Sequence, residues 1–366
     1  MILLRRLRES YGIADEVLAW FASYLSERTQ HVRYASKSSE PTAVLYGVPQ
    51  GSVLGPLLFL LYTADLLTLV EECGLLIHMY ADDDQVYGSC RPGDVDRLTT
   101  LLLSCVARVG EWMRSNRLQF NAAKTEVMWC TSFRRQGQLP TSELRIGSSS
   151  VTPCKYVRDL GIYLDADMSM RTHISKTVSS CFASMRQIRS IRRSVSRPVL
   201  RTLVSALVLA RLDYGCATLA GLPVSSLDRL QSVLNAAARL VLSARKYDHV
   251  TPLLRELHWL RVPERITFKL AVLVYRCLHG QAPRYLSDEL RLVADIPSRR
   301  RLRSASSPAL VVPGTRRRTM GDRAFPVSAA RAWNGLPPDV TTAPSLTVFR
   351  RRLKTELFRR SYGGDR

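Results

Sequence analysis

Residues 74–90, GLLIHMYADDDQVYGSC, constrain this chain more than any other stretch. Leu75, Leu76, Ile77, His78, Met79 and Tyr80 form a largely apolar run. Ala81 and three successive carboxylates follow, Asp82, Asp83 and Asp84, and Gln85, Val86 and Tyr87 return to strand-like residues. An apolar run, a short polar interruption and a second β-prone run predict a hairpin with the acids at or beside its turn. Adjacent carboxylates repel, by roughly 4 kcal/mol for two full charges about 4 Å apart at an effective dielectric near 20. Such a turn needs water, a base or a cation. Hard oxygen donors of high charge suit Mg²⁺, which binds through one or two carboxylates and keeps room for substrate phosphates. The plainer alternative is a solvated acidic turn.

Charge is distributed unevenly. The chain of 366 residues carries a formal net charge of +22, yet residues 1–100 sum to −5 and the remainder to +27. An acidic front and a basic remainder suit a metal site attached to a polyanion-binding surface. A length of 366 residues allows two or three domains. The eight cysteines, Cys73, Cys90, Cys105, Cys130, Cys154, Cys181, Cys216 and Cys277, are scattered without a CxxC pair. They read as buried free thiols in a reducing compartment, nucleus and cytoplasm, rather than as a zinc cluster. The N-terminus lacks the apolar core of a signal peptide. Residues 53–70 are apolar enough to raise a membrane span, but Pro56 and Asp65 within them argue for a buried helix against the hairpin.

Periodicity supplies the rest of the outline. Residues 13–27 read as an amphipathic helix with Val17, Leu18, Phe21 and Leu25 on one face, and residues 30–35 as a short β-prone stretch. Residues 47–52 form a glycine-rich loop that enters a helix through Pro56, offering N–H groups to a phosphate or a base. Residues 94–113 are helical, and Lys124 leads into the β-prone Val127-Met128-Trp129. A polar loop over 136–150 holds one strand-like piece at 143–146, and residues 156–164 form a second hairpin, where Gly161 lets another backbone approach. Beyond His173 the pattern turns helical, over 174–191, 198–212, 227–242, 249–260, 264–279 and 345–358. Between the last two, residues 297–319 are dominated by Pro, Ser and Arg and predict a poorly ordered basic linker.

Four segments carry a family resemblance. Tyr80-Ala81-Asp82-Asp83 resembles the YxDD box of reverse transcriptases. Upstream, Gly47-Val48-Pro49-Gln50-Gly51-Ser52-Val53-Leu54-Gly55-Pro56-Leu57-Leu58-Phe59 resembles the GxPQGSxLGPLLF motif of that family. Downstream, Leu118 to Glu126 resembles its LxxNxxKTE box, and Leu160-Gly161-Ile162-Tyr163-Leu164-Asp165 the LGxxxD hairpin that grips the primer. The order and spacing are those of LINE-like, non-LTR retrotransposon enzymes. The segments Arg255 to Leu260 and Ala330 to Pro337 resemble sequences C-terminal to the polymerase in such elements.

The resemblance implies an α+β fold: a partial polymerase palm with a small antiparallel sheet (1–168), a helical thumb-like region (169–245), a helical C-terminal region (246–296), and a basic linker with a terminal helix (297–366). It implies an RNA-directed DNA polymerase using an RNA template, a DNA primer and dNTPs, with two Mg²⁺ ions, or Mn²⁺, and no membrane. Asp82 and Asp83 become metal ligands and catalytic groups, and Lys124 a proton donor to the leaving pyrophosphate. Gln50, Gly51, Ser52 and Tyr80 become nucleotide and template contacts, and Leu160 and Gly161 the primer grip. The family takes a third metal carboxylate from a strand before the GxPQG motif. Here Met1-Ile2-Leu3-Leu4 resembles the residues just after it, and Asp15 and Glu16 lie in a predicted helix. The expectation is therefore a family member inactive alone. The alternative is a catalytically dead basic RNA- or DNA-binding remnant.

Overall fold

The computed structural model describes residues 2–48, 51–296, 308–317 and 320–363. Helices α1 (Ile2–Glu9) and α2 (Asp15–Leu25) come first, then four two-residue strands, β1 (Thr29–Gln30), β2 (Arg33–Tyr34), β3 (Lys37–Ser38) and β4 (Thr42–Ala43). Next come helices α3 (Leu54–Thr63) and α4 (Asp65–Glu72), strands β5 (Leu76–Tyr80) and β6 (Asp83–Tyr87), and helix α5 (Val95–Ser115). Strands β7 (Leu144–Ile146), β8 (Ser149–Val151), β9 (Tyr156–Asp159) and β10 (Ile162–Asp165) complete the β structure. The remainder is helical: α6 (Arg171–Ile191), α7 (Arg197–Val204), a π turn at Ser205–Leu209, α8 (Ala210–Asp213), α9 (Val224–Leu242), α10 (Val250–Glu256), α11 (Val262–Leu278), α12 (Arg284–Ser287), α13 (Phe325–Asn334), α14 (Pro338–Thr341) and α15 (Leu346–Tyr362). The class is α+β. Among the described residues the strands form five separate two-stranded antiparallel ladders rather than one sheet: β1–β4, β2–β3, β5–β6, β7–β8 and β9–β10.

Two compact units divide the chain, Met1–Val127 with Pro140–Pro153, and Met128–Leu139 with Cys154–Arg366. This division does not follow boundaries at 168, 245 and 296. The hairpin β9–β10 packs on α6, and the helical stretches expected as separate thumb and C-terminal regions share one unit.

In the first unit, Leu3, Leu7, Leu25 and Leu58 make a small core among α1, α2 and α3. A buried cation ties these helices to the next two. Arg6 is only 8% exposed. Its Nη2 donates to Asn116 Oδ1 at 2.9 Å and pairs with Asp65 at 2.9 Å. The guanidinium lies 5.0 Å from the Tyr62 ring centre and 5.3 Å from that of Trp112, a cation–π arrangement on both rings. The helix expected to be buried over residues 53–70 is instead broken at Ala64 into α3 and α4 and is half solvent-facing, with Leu57 54% exposed. Leu54–Glu72 is long and apolar enough to span a bilayer by length and composition, but Asp65 inside it is held in the ion pair with Arg6. On α2, Leu25 is buried while Val17 is exposed, so the expected apolar face is only partly used. The stretch Val127-Met128-Trp129 is not a strand, and residues 143–151 make a hairpin in place of one expected strand-like piece.

The second unit holds the larger core. Ile174, Cys181, Met185 and Ile188 of α6 pack with Val204 and Val208, with Leu230, Val233, Leu234 and Ala237 of α9, and with Ile266 and Leu270 of α11. A second cluster gathers α11, α13 and α15 around Tyr275, Trp333, Phe349, Leu353 and Leu357. Helix α13 has no counterpart in the periodicity, although the segment Ala330 to Pro337 carries part of the family resemblance. Its Trp333 Nε1 donates to the Pro308 carbonyl at 2.8 Å. Asn334 makes a two-point clamp on the Leu310 backbone, each bond 2.8 Å. The middle of the expected poorly ordered linker is thus docked, with Leu310 buried and bridged to Leu292. Residues 297–307, including Arg299, Arg300 and Arg301, lie outside the described residues.

Candidate functional site

The register of β5 and β6 fixes where the acids point. Tyr80 pairs with Asp83, Met79 with Asp84, His78 with Gln85, Ile77 with Val86 and Leu76 with Tyr87. Ala81 and Asp82 form the two-residue turn, Ala81 at φ 57°, a left-handed conformation that L residues adopt at a cost. Side chains alternate along a strand, and cross-strand partners share a face. Asp83 therefore lies on the face of Tyr80, His78 and Tyr87, and Asp84 on the opposite face with Met79, Ile77 and Val86. Ile77, Met79 and Val86 are the half-buried members of the hairpin, while Tyr80 is 66% exposed. The open face is braced by His78, whose ring stacks on Tyr87 at 5.1 Å between centres and shares a 3.0 Å hydrogen bond with its hydroxyl.

This placement separates three carboxylates that look equivalent in sequence. Asp82 and Asp83 are exposed, and among the described residues no hydrogen bond or ion pair reaches them. Asp84 sits on the apolar side. Loss of hydration there, with repulsion from Asp82 and then Asp83, pushes its pKa up to about 6. The turn is a concentrated negative field, and among the described residues no lysine or arginine pairs with it. Its donors are hard oxygens in the number that Mg²⁺ takes from protein beside substrate phosphates, so the residues present fit a divalent cation. Among the described residues, no group of three or more His, Cys, Asp or Glu gathers to hold a metal. Sequence reasoning misses the distinct role of Asp84, although strict alternation already puts it on the other face from Asp83.

The other expected contacts are placed separately. Gln50 lies outside the described residues. Gly51 is at φ 79° in the turn before α3, and the Ser52 hydroxyl accepts from the Gly55 N–H at 3.1 Å, so it serves the start of that helix. Helix α3 packs on α4, and α4 on β5, which links the glycine loop to the hairpin through two helices. Lys124 ends a short 3₁₀ turn whose backbone N–H is capped by Asn121 Oδ1 at 3.2 Å, and its side chain is exposed.

In the second unit, Leu160 and Gly161 form the two-residue turn between β9 and β10, at φ 44° and 86°. The ring of Tyr214, not another backbone, covers this turn: a Cβ on Gly161 would meet Tyr214 Cε1 at 3.2 Å, and the Tyr214 hydroxyl donates to the Leu160 carbonyl. The expectation of buried thiols holds for Cys105, Cys181, Cys216 and Cys277, whereas Cys90 and Cys130 are exposed. Burial pushes the Cys181 and Cys216 thiols up to about 11, which leaves them unreactive.

Comparison with known proteins bears on this geometry. Residues 4–161 match the family described as "Reverse transcriptase (RNA-dependent DNA polymerase)". The chain is 28% identical over 254 residues to "Probable RNA-directed DNA polymerase from transposon BS" of Drosophila melanogaster, covering 67% of this chain and 28% of that protein. It is 28% identical over 244 residues to "Probable RNA-directed DNA polymerase from transposon X-element" of the same organism, 64% of this chain and 26% of the relative. "RNA-directed DNA polymerase from mobile element jockey", also from Drosophila melanogaster, is 26% identical over 244 residues, again 64% of this chain and 26% of the relative. The chain therefore spans little more than a quarter of the length of these relatives. No solved structure matches it.

Proposed function

Because residues 4–161 belong to the reverse transcriptase family, with LINE-like retrotransposon polymerases as relatives, we propose that the β5–β6 turn is the metal-holding turn of an RNA-directed DNA polymerase. The observation that carries this reading is the register: it puts Asp82 in the turn and Asp83 opposite Tyr80, both exposed and, among the described residues, both without a basic partner. Asp82 and Asp83 would hold divalent cations, Mg²⁺ or Mn²⁺. When bound, such ions lower the barrier by activating a primer 3′-hydroxyl and neutralising the triphosphate and its leaving group. Tyr80, on the face of Asp83, would stack against the incoming dNTP or the template. Gly51 and Ser52, with Gln50, would bring backbone N–H groups to the nucleotide, and Lys124 would offset pyrophosphate charge and donate a proton. Leu160 and Gly161, held by Tyr214, would present a rigid turn to the primer. The exposed Arg186, Arg189 and Arg193, which share one face of α6 and its extension at spacings of three and four residues, would meet the backbone of an RNA–DNA duplex.

Two carboxylates are fewer than the three from which such a site is built in this family. We therefore propose that these 366 residues do not extend a primer unaided. A primer-extension assay with Mg²⁺, an RNA template and dNTPs tests both parts. The expected result is no synthesis by the chain alone, and synthesis, abolished by Asp82→Ala, when it is joined to the preceding part of the transposon BS polymerase. Synthesis by the unaided chain would overturn the inactivity reading. Activity of the joined protein that survives Asp82→Ala and Asp83→Ala would overturn the assignment of the turn. The second reading, a basic nucleic-acid binder with no chemistry, is favoured by the charge of +27 beyond residue 100. It predicts salt-sensitive RNA binding and no synthesis even in the joined protein.

A further inference from the structure

Helix α15 carries Arg350, Arg351, Arg352, Lys354, Arg359 and Arg360 against one acid, Glu356. The structure divides these cations into two groups. Three are committed to the protein. Arg352 donates to the Asp339 carbonyl at 2.5 Å, Arg360 donates to the Gly335 carbonyl at 2.6 Å, and Arg359 and Arg360 both pair with Glu356, at 3.0 and 2.7 Å. The other three, Arg350, Arg351 and Lys354, are exposed, and among the described residues their side chains have no hydrogen-bond or ion-pair partner. At about 100° per residue, Arg350, Lys354 and Arg351 fall within about 100° of the helix circumference, with Thr347 between them. They form one uncompensated cationic ridge.

The ridge rests on a rigid support. Phe349, Leu353 and Leu357, on the stripe that flanks the ridge, are completely buried. Phe349 stacks on Tyr275 at 4.5 Å and on Trp333 at 5.7 Å. The helix start is fixed by Ser345, whose hydroxyl accepts from the Val348 N–H at 3.3 Å. Beside the ridge lies a shallow cavity of about 250 Å³ lined by Asp339, Arg351, Arg352, Thr355, Glu356 and Arg359. Its two carboxylates are outnumbered by three arginines, and Glu356 is already held below the usual carboxylate range by its arginine partners despite the opposing loss of hydration. The site is cationic, preorganised and open.

We propose that the Arg350–Arg351–Lys354 ridge of α15 is a binding surface for the phosphate backbone of single-stranded RNA, separate from the hairpin that would hold metal. An anionic membrane fits less well. A membrane-surface helix needs an exposed apolar face beside its basic one, and the apolar face of α15 is consumed by the protein core. An open ridge with Thr347 among its cations suits a flexible strand whose phosphates are contacted without reading bases. This inference stands apart from the metal-site reading, because it concerns binding alone.

The test measures binding of a labelled, unstructured RNA oligonucleotide to the full chain by fluorescence anisotropy across a salt series. R350E/R351E/K354E should weaken binding at least about tenfold at low salt, and R350Q/R351Q/K354Q should weaken it less. The glutamine variant should lower the slope of log K against log salt by about 2, since each single-strand phosphate contact contributes about 0.7. Thermal melting of both ridge variants should match the parent, because the three side chains are exposed. Unchanged RNA affinity and salt slope in the folded variants would overturn the proposal. So would ridge-dependent binding to phosphatidylserine vesicles without an effect on RNA.

Discussion

Asp84 shows how much one register position decides. It differs from Asp83 only in strand face, yet the apolar side and the repulsion of Asp82 and Asp83 raise its pKa to about 6. A carboxyl raised above its unfolded value holds its proton more tightly in the folded state. The folded protein is thus favoured at low pH and loses that advantage as pH rises from about 4 through about 6. Asp84→Asn should therefore flatten this part of the stability–pH profile and stabilise the protein at pH 7, by about 1 kcal/mol once solvent screening of an exposed carboxylate is allowed for. Urea denaturation across pH checks this, and an unchanged profile would refute it. Mg²⁺ bound beside Asp84 should pull its NMR titration midpoint down, and Asp82→Asn with Asp83→Asn should remove that effect. Arg6 makes the opposite case, a cation inside the protein. Asp65→Ala leaves the guanidinium buried with Asn116 as its remaining polar partner and should cost about 2–3 kcal/mol. Sequence alone singles out Asp82 and Asp83 as candidates by their place in a motif. It does not identify the Arg6–Asp65 pair, which joins residues far apart in the chain, nor rank Asp84, whose difference is one of environment.

At the level of elements, local pattern is a good guide wherever a helix or hairpin buries its own periodic face. The β5–β6 hairpin, the β9–β10 hairpin, and helices α5, α6, α9 and α11 fall close to where periodicity and turn residues put them. The failures have a common physical origin, since they depend on partners distant in sequence. Helix α13 is short, and its importance comes from Trp333 and Asn334 closing on Pro308 and Leu310. The apolar run of α3 and α4 reads as buried but finds only one-sided cover. The turn at Gly161 reads as a place for backbone approach, whereas an aromatic ring fills it. Two predictions belong here. Phe349→Ala removes the ring stacked between Tyr275 and Trp333 and should cost about 3–5 kcal/mol in chemical denaturation. Gly161→Ala forces a Cβ against Tyr214 at a positive φ and should cost about 1–2 kcal/mol. If Tyr214 is what makes this turn intolerant, pairing Gly161→Ala with Tyr214→Ala should recover part of the Gly161→Ala loss, and purely additive costs would refute that coupling.

Across the whole molecule the two units differ in how they are held together. The first leaves Trp20, Leu57 and Leu60 exposed, draws its strands into small separate ladders, and splits its buried residues between the four leucines of α1–α3 and a group that includes Leu66, Val70, Leu75 and Cys105. The second joins long helices through two large clusters. Buried apolar area is the main source of stability, so the first unit should unfold at lower temperature or urea than the second. Tryptophans report on both, Trp20 and Trp112 in the first unit and Trp129, Trp259 and Trp333 in the second. Calorimetry of the full chain should resolve two transitions. Asp65→Ala should lower the first alone, and Phe349→Ala the second alone. Hydrogen exchange should show faster opening in α3 and α4 than in α9 and α11. A single transition, shifted equally by either substitution, would mean that the units fold as one cooperative body. In that case the stability of the β5–β6 turn would depend on the helical core far along the chain.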